Sequence, residues 1–254
     1  MEDLQFDAGS GLQIQYRFQK ARFDCKHLLI VMSGFNSPDP TVYDFTTTLH
    51  HCHSAILWIK DDFNRLPAYY LCQDLDFSIE AGVSALINHI IASVRPEHTA
   101  ILGASKGGSA ALWFALKHDI RHIIACVPQL RIGSYLAGSK WQEIGRVMTG
   151  NLDRQNIALL DALLPDKLAK DERLERNIYL FTSPEDTQFS TDIQPALPLL
   201  ERYQNFNLIE THSRFVNRHE DVTRYNVNLV LALIYQFEDG ITPRWGSVHN
   251  GARW

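Results

Sequence analysis

Short, uninterrupted apolar runs recur along the chain: His27 to Met32 (HLLIVM), Ala55 to Ile59 (AILWI), Thr99 to Leu102 (TAIL), His122 to Val127 (HIIACV) and Asn177 to Phe181 (NIYLF). Runs without polar alternation predict strands buried on both faces, as in a parallel sheet between helical layers. Phe206 to Ile209 (FNLI) is a shorter and weaker run of the same kind. Leu12 to Phe18 instead alternates, which predicts a half-buried edge hairpin. Between the runs the period changes. From Ser78 to Val94, the residues Ile79, Val83, Leu86, Ile87, Ile90 and Ile91 fall on one helical stripe. Gly107 to Lys117, Pro195 to Tyr203 and Val222 to Phe237 read as further helices. Strands alternating with helices predict a doubly wound α/β fold with a mostly parallel sheet.

Two regions break this rhythm. Residues 130–175 hold helical patterns ("IGSYLAGSKWQEIGRVM", then "NIALLDALLPDKLAKDERLER") with no clear strand. They read as a helical cap inserted after the strand that ends at Val127, within a single domain spanning 1–254. The tail, "RWGSVHNGARW", is polar and contains glycine, and reads as poorly ordered.

The stretch "TAILGASKGGSAALWFAL", Thr99 to Leu116, carries the strongest chemical signal. Gly103, Ala104, Ser105, Lys106 and Gly107 form G-x-S-x-G between an expected strand and an expected helix, the context of a nucleophile elbow. Small residues flank such a serine because strand and helix approach closely there. The backbone N–H of Lys106 is then a candidate oxyanion donor at a helix N-terminus. A serine needs a base, and the base needs an orienting acid, in the chain order serine, acid, histidine. Asp186 lies just beyond the strand Asn177 to Phe181, with Glu185 as its neighbouring competitor. His219 lies in a polar loop ahead of the last helix, and His212, nearer the preceding strand, is the alternative base. A second oxyanion donor is expected after the strand His27 to Met32, where Gly34 precedes the Phe35 or Asn36 N–H.

Other patterns exclude more than they suggest. The cluster "HHCH", His50 to His53, lacks the partners of a zinc site and reads as a helix end, so no metal is expected. Neither a Walker motif nor G-x-G-x-x-G occurs, which leaves nucleotide chemistry without support. Cys126 sits inside an apolar strand as a core residue. The chain has 254 residues, 45% hydrophobic and 21% charged, enough for a full core. A net charge of -5 argues against a nucleic-acid partner. No apolar run is long enough to span a bilayer, and the first residues do not resemble a signal peptide. The four scattered cysteines read as free thiols, and a cytoplasmic location is expected.

The segments "LGASKGGSAALWFAL" and "IIACVPQLRIGSYL" resemble bacterial capsular-polysaccharide biosynthesis proteins of the α/β-hydrolase superfamily. That group includes polysaccharide O-acetyltransferases and, more distantly, accessory proteins of glycoprotein export. Gly103, Ser105, Lys106, Gly107 and Gly108 match its G-x-S-K-G-G elbow, and Pro128 and Gln129 match a Pro-Gln pair ending the next strand. The likeness is sharpest from Ala100 to Leu136. It implies that the acid and histidine fall on Asp186 and His219. It also implies a glycan or small-ester substrate, with acetyl-CoA as a donor rather than a permanently bound cofactor. Lys106 and Arg131 are then candidates to hold an anionic substrate in a cleft under residues 130–175. A serine acyl-transfer enzyme is the first expectation, and a non-catalytic accessory protein that keeps the fold is the second. Acyl donor, acceptor and oligomeric state stay open.

Overall fold

The computed structural model describes residues 2–35, 42–63 and 65–251. Its centre is a sheet of nine strands in the order β1-β2-β4-β3-β5-β6-β7-β8-β9. The strands are β1 (Leu4–Asp7), β2 (Gln13–Gln19), β3 (His27–Met32), β4 (Ala55–Ile59), β5 (His98–Ala104), β6 (His122–Cys126), β7 (Asn177–Thr182), β8 (Asn205–Thr211) and β9 (Ser247–Asn250). The hairpin β1–β2 and the pair β2–β4 are antiparallel; every pair from β4 to β9 is parallel. The strands β3, β4 and β6 are buried along their whole length, which is why they read as continuous apolar runs.

Successive side chains of β3 feed opposite layers. Leu28, Ile30 and Met32 join a core with α1 (Ser78–Val94) and α2 (Lys106–His118). Leu29 and Val31 join a second core with α7 (His219–Glu238). Residues 130–175 contain α3 (Ile132–Gly138), α4 (Gln142–Thr149) and α5 (Arg154–Lys170). Leu160, Leu164 and Leu168 of α5 enter the first core beside α2, so this helix packs against the body of the molecule. Tyr135 of α3 and Trp141, the residue just ahead of α4, reach the cleft at the carboxyl edge of the sheet.

Three local expectations differ from the structure. The tail is not loose over its whole length, because Ser247–Asn250 pairs with β8. The segment before β4 that holds His50 and His51 forms turns rather than a helix end. The helix expected over Pro195 to Tyr203 is a π-helical turn (Phe189–Ile193), a 3-10 turn (Gln194–Ala196) and a four-residue helix, α6 (Leu197–Leu200). Pro195 and Pro198 lack the amide hydrogens that a longer regular helix needs.

Candidate active site

Ser105 sits between β5 and α2 with φ 54° and ψ −124°, a conformation that a residue with a Cβ adopts at a cost of about 1–3 kcal/mol. The flanking glycines make this turn sterically feasible. A Cβ on Gly103 would lie 2.0 Å from the Gly107 carbonyl oxygen, and one on Gly107 would lie 2.1 Å from that of Met32. The serine N–H is tied to the Cys126 carbonyl at 2.8 Å, which anchors the turn to the neighbouring strand β6.

Asp186 follows β7 and is buried; its Oδ2 lies 2.7 Å from His219 Nδ1. Its Oδ1 accepts the Gln188 N–H at 3.0 Å, which fixes the plane of the carboxylate. His219 is the first residue of α7, and its Nε2 is buried with no hydrogen-bond partner among the described residues. Ser105 and His219 line the same cleft, of about 690 Å³. It is Asp186, and not its neighbour Glu185, whose carboxylate meets the imidazole at hydrogen-bond distance; the Glu185 N–H bonds Ser183 Oγ. His212 points elsewhere, its Nε2 3.1 Å from His249 Nδ1.

The serine oxygen has a partner for which the motif gives no reason. Gln129 Nε2 donates to Ser105 Oγ at 2.9 Å. The Gln129 side chain is buried, its Oε1 accepts from Tyr69 Oη at 2.9 Å, and its Nε2 also reaches Gln188 Oε1 at 3.2 Å. Its backbone is held as well, since Ser109 Oγ accepts the Gln129 N–H and donates to the Gln129 carbonyl. The sequence marked Gln129 through the Pro-Gln pair that ends the strand, but gave it no role at the serine.

The loop after β3 passes over the end of β5. A Cβ on Gly34 would fall 2.8 Å from the Ala104 carbonyl oxygen, so glycine lets the 33–35 backbone come next to Ser105. The Gly34 N–H is engaged by Asp44 Oδ2 at 2.7 Å. The Phe35 ring stacks on Trp141 at 4.6 Å and meets Tyr69 edge-on at 5.4 Å. Asn36 lies outside the described residues. The Lys106 N–H is the first amide of α2, a position for which a helix supplies no internal acceptor.

The Lys106 side chain overturns one expectation. It does not face the cleft; it is wholly buried, with Nζ 2.6 Å from Asp61 Oδ2. Asp61 Oδ1 meanwhile accepts the N–H groups of Ala68 and Tyr70, both at 3.0 Å. The ammonium lies 4.5 Å from the Tyr70 ring and 5.4 Å from that of Phe35. Burial pushes the lysine pKa down, and the Asp61 carboxylate opposes that shift. The carboxylate also offsets the unfavourable placement of a cation at a helix N-terminus. Arg131 is likewise not in the cleft: its guanidinium is half exposed and lies 3.3 Å from Asp161. The cationic side chains among the described lining residues are Lys140 and Arg224.

Sheet order, the parallel run from β4 to β9 and the helices on both faces define an α/β-hydrolase fold. Comparison with solved structures agrees. The capsule O-acetyltransferase of Neisseria meningitidis serogroup A, solved in complex with CoA, is 19% identical, covers 99% of this chain and 88% of its own, and superposes with a TM-score of 0.54. Est1E from Butyrivibrio proteoclasticus is 14% identical over 94% of this chain and 98% of its own, TM-score 0.60. A chain of the glycosylation associate protein complex from Streptococcus agalactiae is 15% identical over 92% of this chain and 45% of its own, TM-score 0.72. At such identities the likeness is one of fold. No protein-family model matches the sequence, and no curated protein matches it. Among the described residues no helix is long and apolar enough to cross a membrane.

Proposed function

We propose that the chain is a serine acyl-transfer enzyme acting through an acyl-enzyme. The carrying observation is the bonded pair Asp186–His219 facing the same cleft as a serine held in a strained strand-to-helix turn. Ser105 Oγ attacks the carbonyl carbon of an ester or thioester while His219 Nε2 takes its proton. Asp186 holds the ring so that Nε2 is the free nitrogen and steadies the imidazolium that forms. The Lys106 and Phe35 N–H groups receive the oxyanion. Collapse of the tetrahedral species expels the alcohol or thiol, which takes the proton back from His219. An acceptor hydroxyl, from a sugar or from water, then repeats the sequence and releases Ser105.

Gln129 fits this scheme. By donating to Ser105 Oγ it occupies a lone pair and leaves the hydroxyl hydrogen free to turn toward His219. Acetyl-CoA as donor and a glycan hydroxyl as acceptor are supported by the resemblance of the elbow and by the fold shared with an O-acetyltransferase solved with CoA. Residues 130–175 act as the cap that brings aromatic side chains over the cleft. The free state of Cys25, Cys52, Cys72 and Cys126 supports the cytoplasmic placement.

The test is an intact-mass spectrum after exposure to acetyl-CoA and, separately, to an aryl acetate. An acetyl adduct is expected on Ser105 in the wild type and none in Ser105→Ala. If neither donor modifies the wild type and the aryl acetate is not hydrolysed faster than in Ser105→Ala, the acyl-transfer reading fails and the accessory reading takes its place. The similarity to a chain of a glycosylation associate complex favours that second reading.

A further inference from the structure

Outside the cleft, the described residues hold one cluster of side chains with metal-ligand chemistry: Glu210, His212 and His249. Strand geometry brings them together. Glu210, in β8, and His212, the residue just past its end, are two apart, and the His212 N–H continues the ladder to the Asn250 carbonyl, so both project from the same face of the sheet. The parallel register sets His249 of β9 directly opposite Glu210, which adds its side chain to that face. His249 Nδ1 lies 3.1 Å from His212 Nε2 and 3.5 Å from Glu210 Oε2. The three candidate donor atoms lie within 4.8 Å of one another.

We propose that Glu210, His212 and His249 bind one divalent transition-metal ion of the zinc type, clipping the last strand to β8. Donors at about 2.0–2.1 Å from a tetrahedral zinc are separated by about 3.3 Å, which matches the two measured spacings. A plain hydrogen-bonded cluster accounts for the site less well. A neutral His249 ring has one proton at most to offer at Nδ1, and that atom faces an imidazole nitrogen and a carboxylate oxygen together. A cation between the three satisfies all of them. Two neutral imidazoles and one carboxylate form a donor set suited to zinc with a fourth position open to solvent.

The opposite face of the same two strands is held rigid, so the ligands are presented in fixed positions. Thr211 Oγ1 accepts from Asn226 Nδ2 at 2.7 Å, Asn250 Nδ2 donates to Asn226 Oδ1 at 2.6 Å, and the His212 N–H bonds the Asn250 carbonyl at 2.9 Å. Sequence spacing could not show this site, because only the β8–β9 register joins its parts. The site stands apart from the proposed chemistry at Ser105 and does not depend on it.

The experiment is titration of the full chain with zinc by calorimetry, and with cobalt followed in the visible spectrum. One ion per chain and the absorption of a tetrahedral cobalt site are expected in the wild type. His249 is exposed, so His249→Ala keeps the fold; it should lower zinc affinity by roughly tenfold or more and abolish the cobalt spectrum. Glu210→Gln should weaken binding in the same direction, and His51→Ala should leave it unchanged. The proposal is overturned if the wild type binds neither ion, or if zinc affinity and the cobalt spectrum survive unchanged in His249→Ala.

Discussion

At the scale of single residues, the decisive groups are those on either side of Ser105 Oγ. His219→Ala should abolish turnover while His212→Ala keeps it, since Asp186 touches the former and the latter faces His249. Asp186→Asn should lower kcat by about 10⁴, because an amide can hold the imidazole in the wrong tautomer. A mild loss there, with a large one in Glu185→Gln, would reassign the acid. Gln129→Glu tests the direction of the bond to the serine. A carboxylate accepts where the amide donates, so the hydroxyl hydrogen would turn away from His219. A drop in kcat of about 10²-fold with little change in KM is expected; an unchanged kcat would make Gln129 a packing residue. Ser105, Asp186 and His219, the proposed serine, acid and histidine, could be picked out in the sequence because strand ends are legible. Asp61 and the bond from Gln129 to Ser105 Oγ were not, since a polar residue past a strand looks the same in sequence whether it is buried and bonded or free in water.

At the scale of elements, the ion pair Lys106–Asp61 joins the first turn of α2 to the segment after β4, and its ammonium lies against Tyr70 and Phe35. Tyr70 Oη in turn accepts the Ser33 N–H at 2.7 Å, so one buried chain of contacts supports the loop expected to bind the oxyanion. Lys106→Met would strand the Asp61 carboxylate in the interior, and breaking such a pair costs about 3–5 kcal/mol. Asp61→Leu combined with Lys106→Met removes both charges and should recover much of that loss in urea unfolding. If the double variant is no more stable than Lys106→Met, the charges are not what joins the two elements. The same scale explains what the hydropathy pattern hid. β8 reads weakly because Asn205 and Asn207 stand on its buried face, where Asn207 Oδ1 accepts the N–H groups of Trp245 and Gly246. Those bonds bring the polar tail alongside β8 and so make β9 possible.

At the scale of the whole molecule, the two edges of the sheet differ in their charge chemistry. The carboxyl edge holds the cleft, whereas the amino edge holds His27, His98 and His122 at the starts of the adjacent strands β3, β5 and β6. Burial, reinforced by the neighbouring imidazoles His122 and His98, pushes the pKa of His27 down to about 3. Burial, with His98 and Arg121 beside it, pushes His122 down to about 4. Around them stand Ser54 Oγ, 2.7 Å from His27 Nδ1, and the Phe237 ring, 4.5 Å from His122. Both imidazoles are therefore neutral when folded and take up a proton on unfolding at mildly acidic pH. A depressed histidine pKa favours the folded state fully above the unfolded value near 6.5, and that contribution drains away as pH falls toward the folded values near 4 and 3. Each histidine should contribute a slope of up to ~1.4 kcal/mol per pH unit inside that window. Carboxylates add their part lower down. Asp171, which burial raises but hydrogen bonds from Arg176 and Tyr203 carry below the ordinary 3.8, loses its contribution only beneath that value. Unfolding free energy measured in urea should thus be flat between about pH 7 and 8 and fall between pH 6.5 and 4. In His122→Phe the slope in that window should shrink by one histidine's share. Equal stability at pH 7.5 and 5 in the wild type would mean that the amino-edge histidines are already protonated in the folded chain, and that the sheet tolerates their charge.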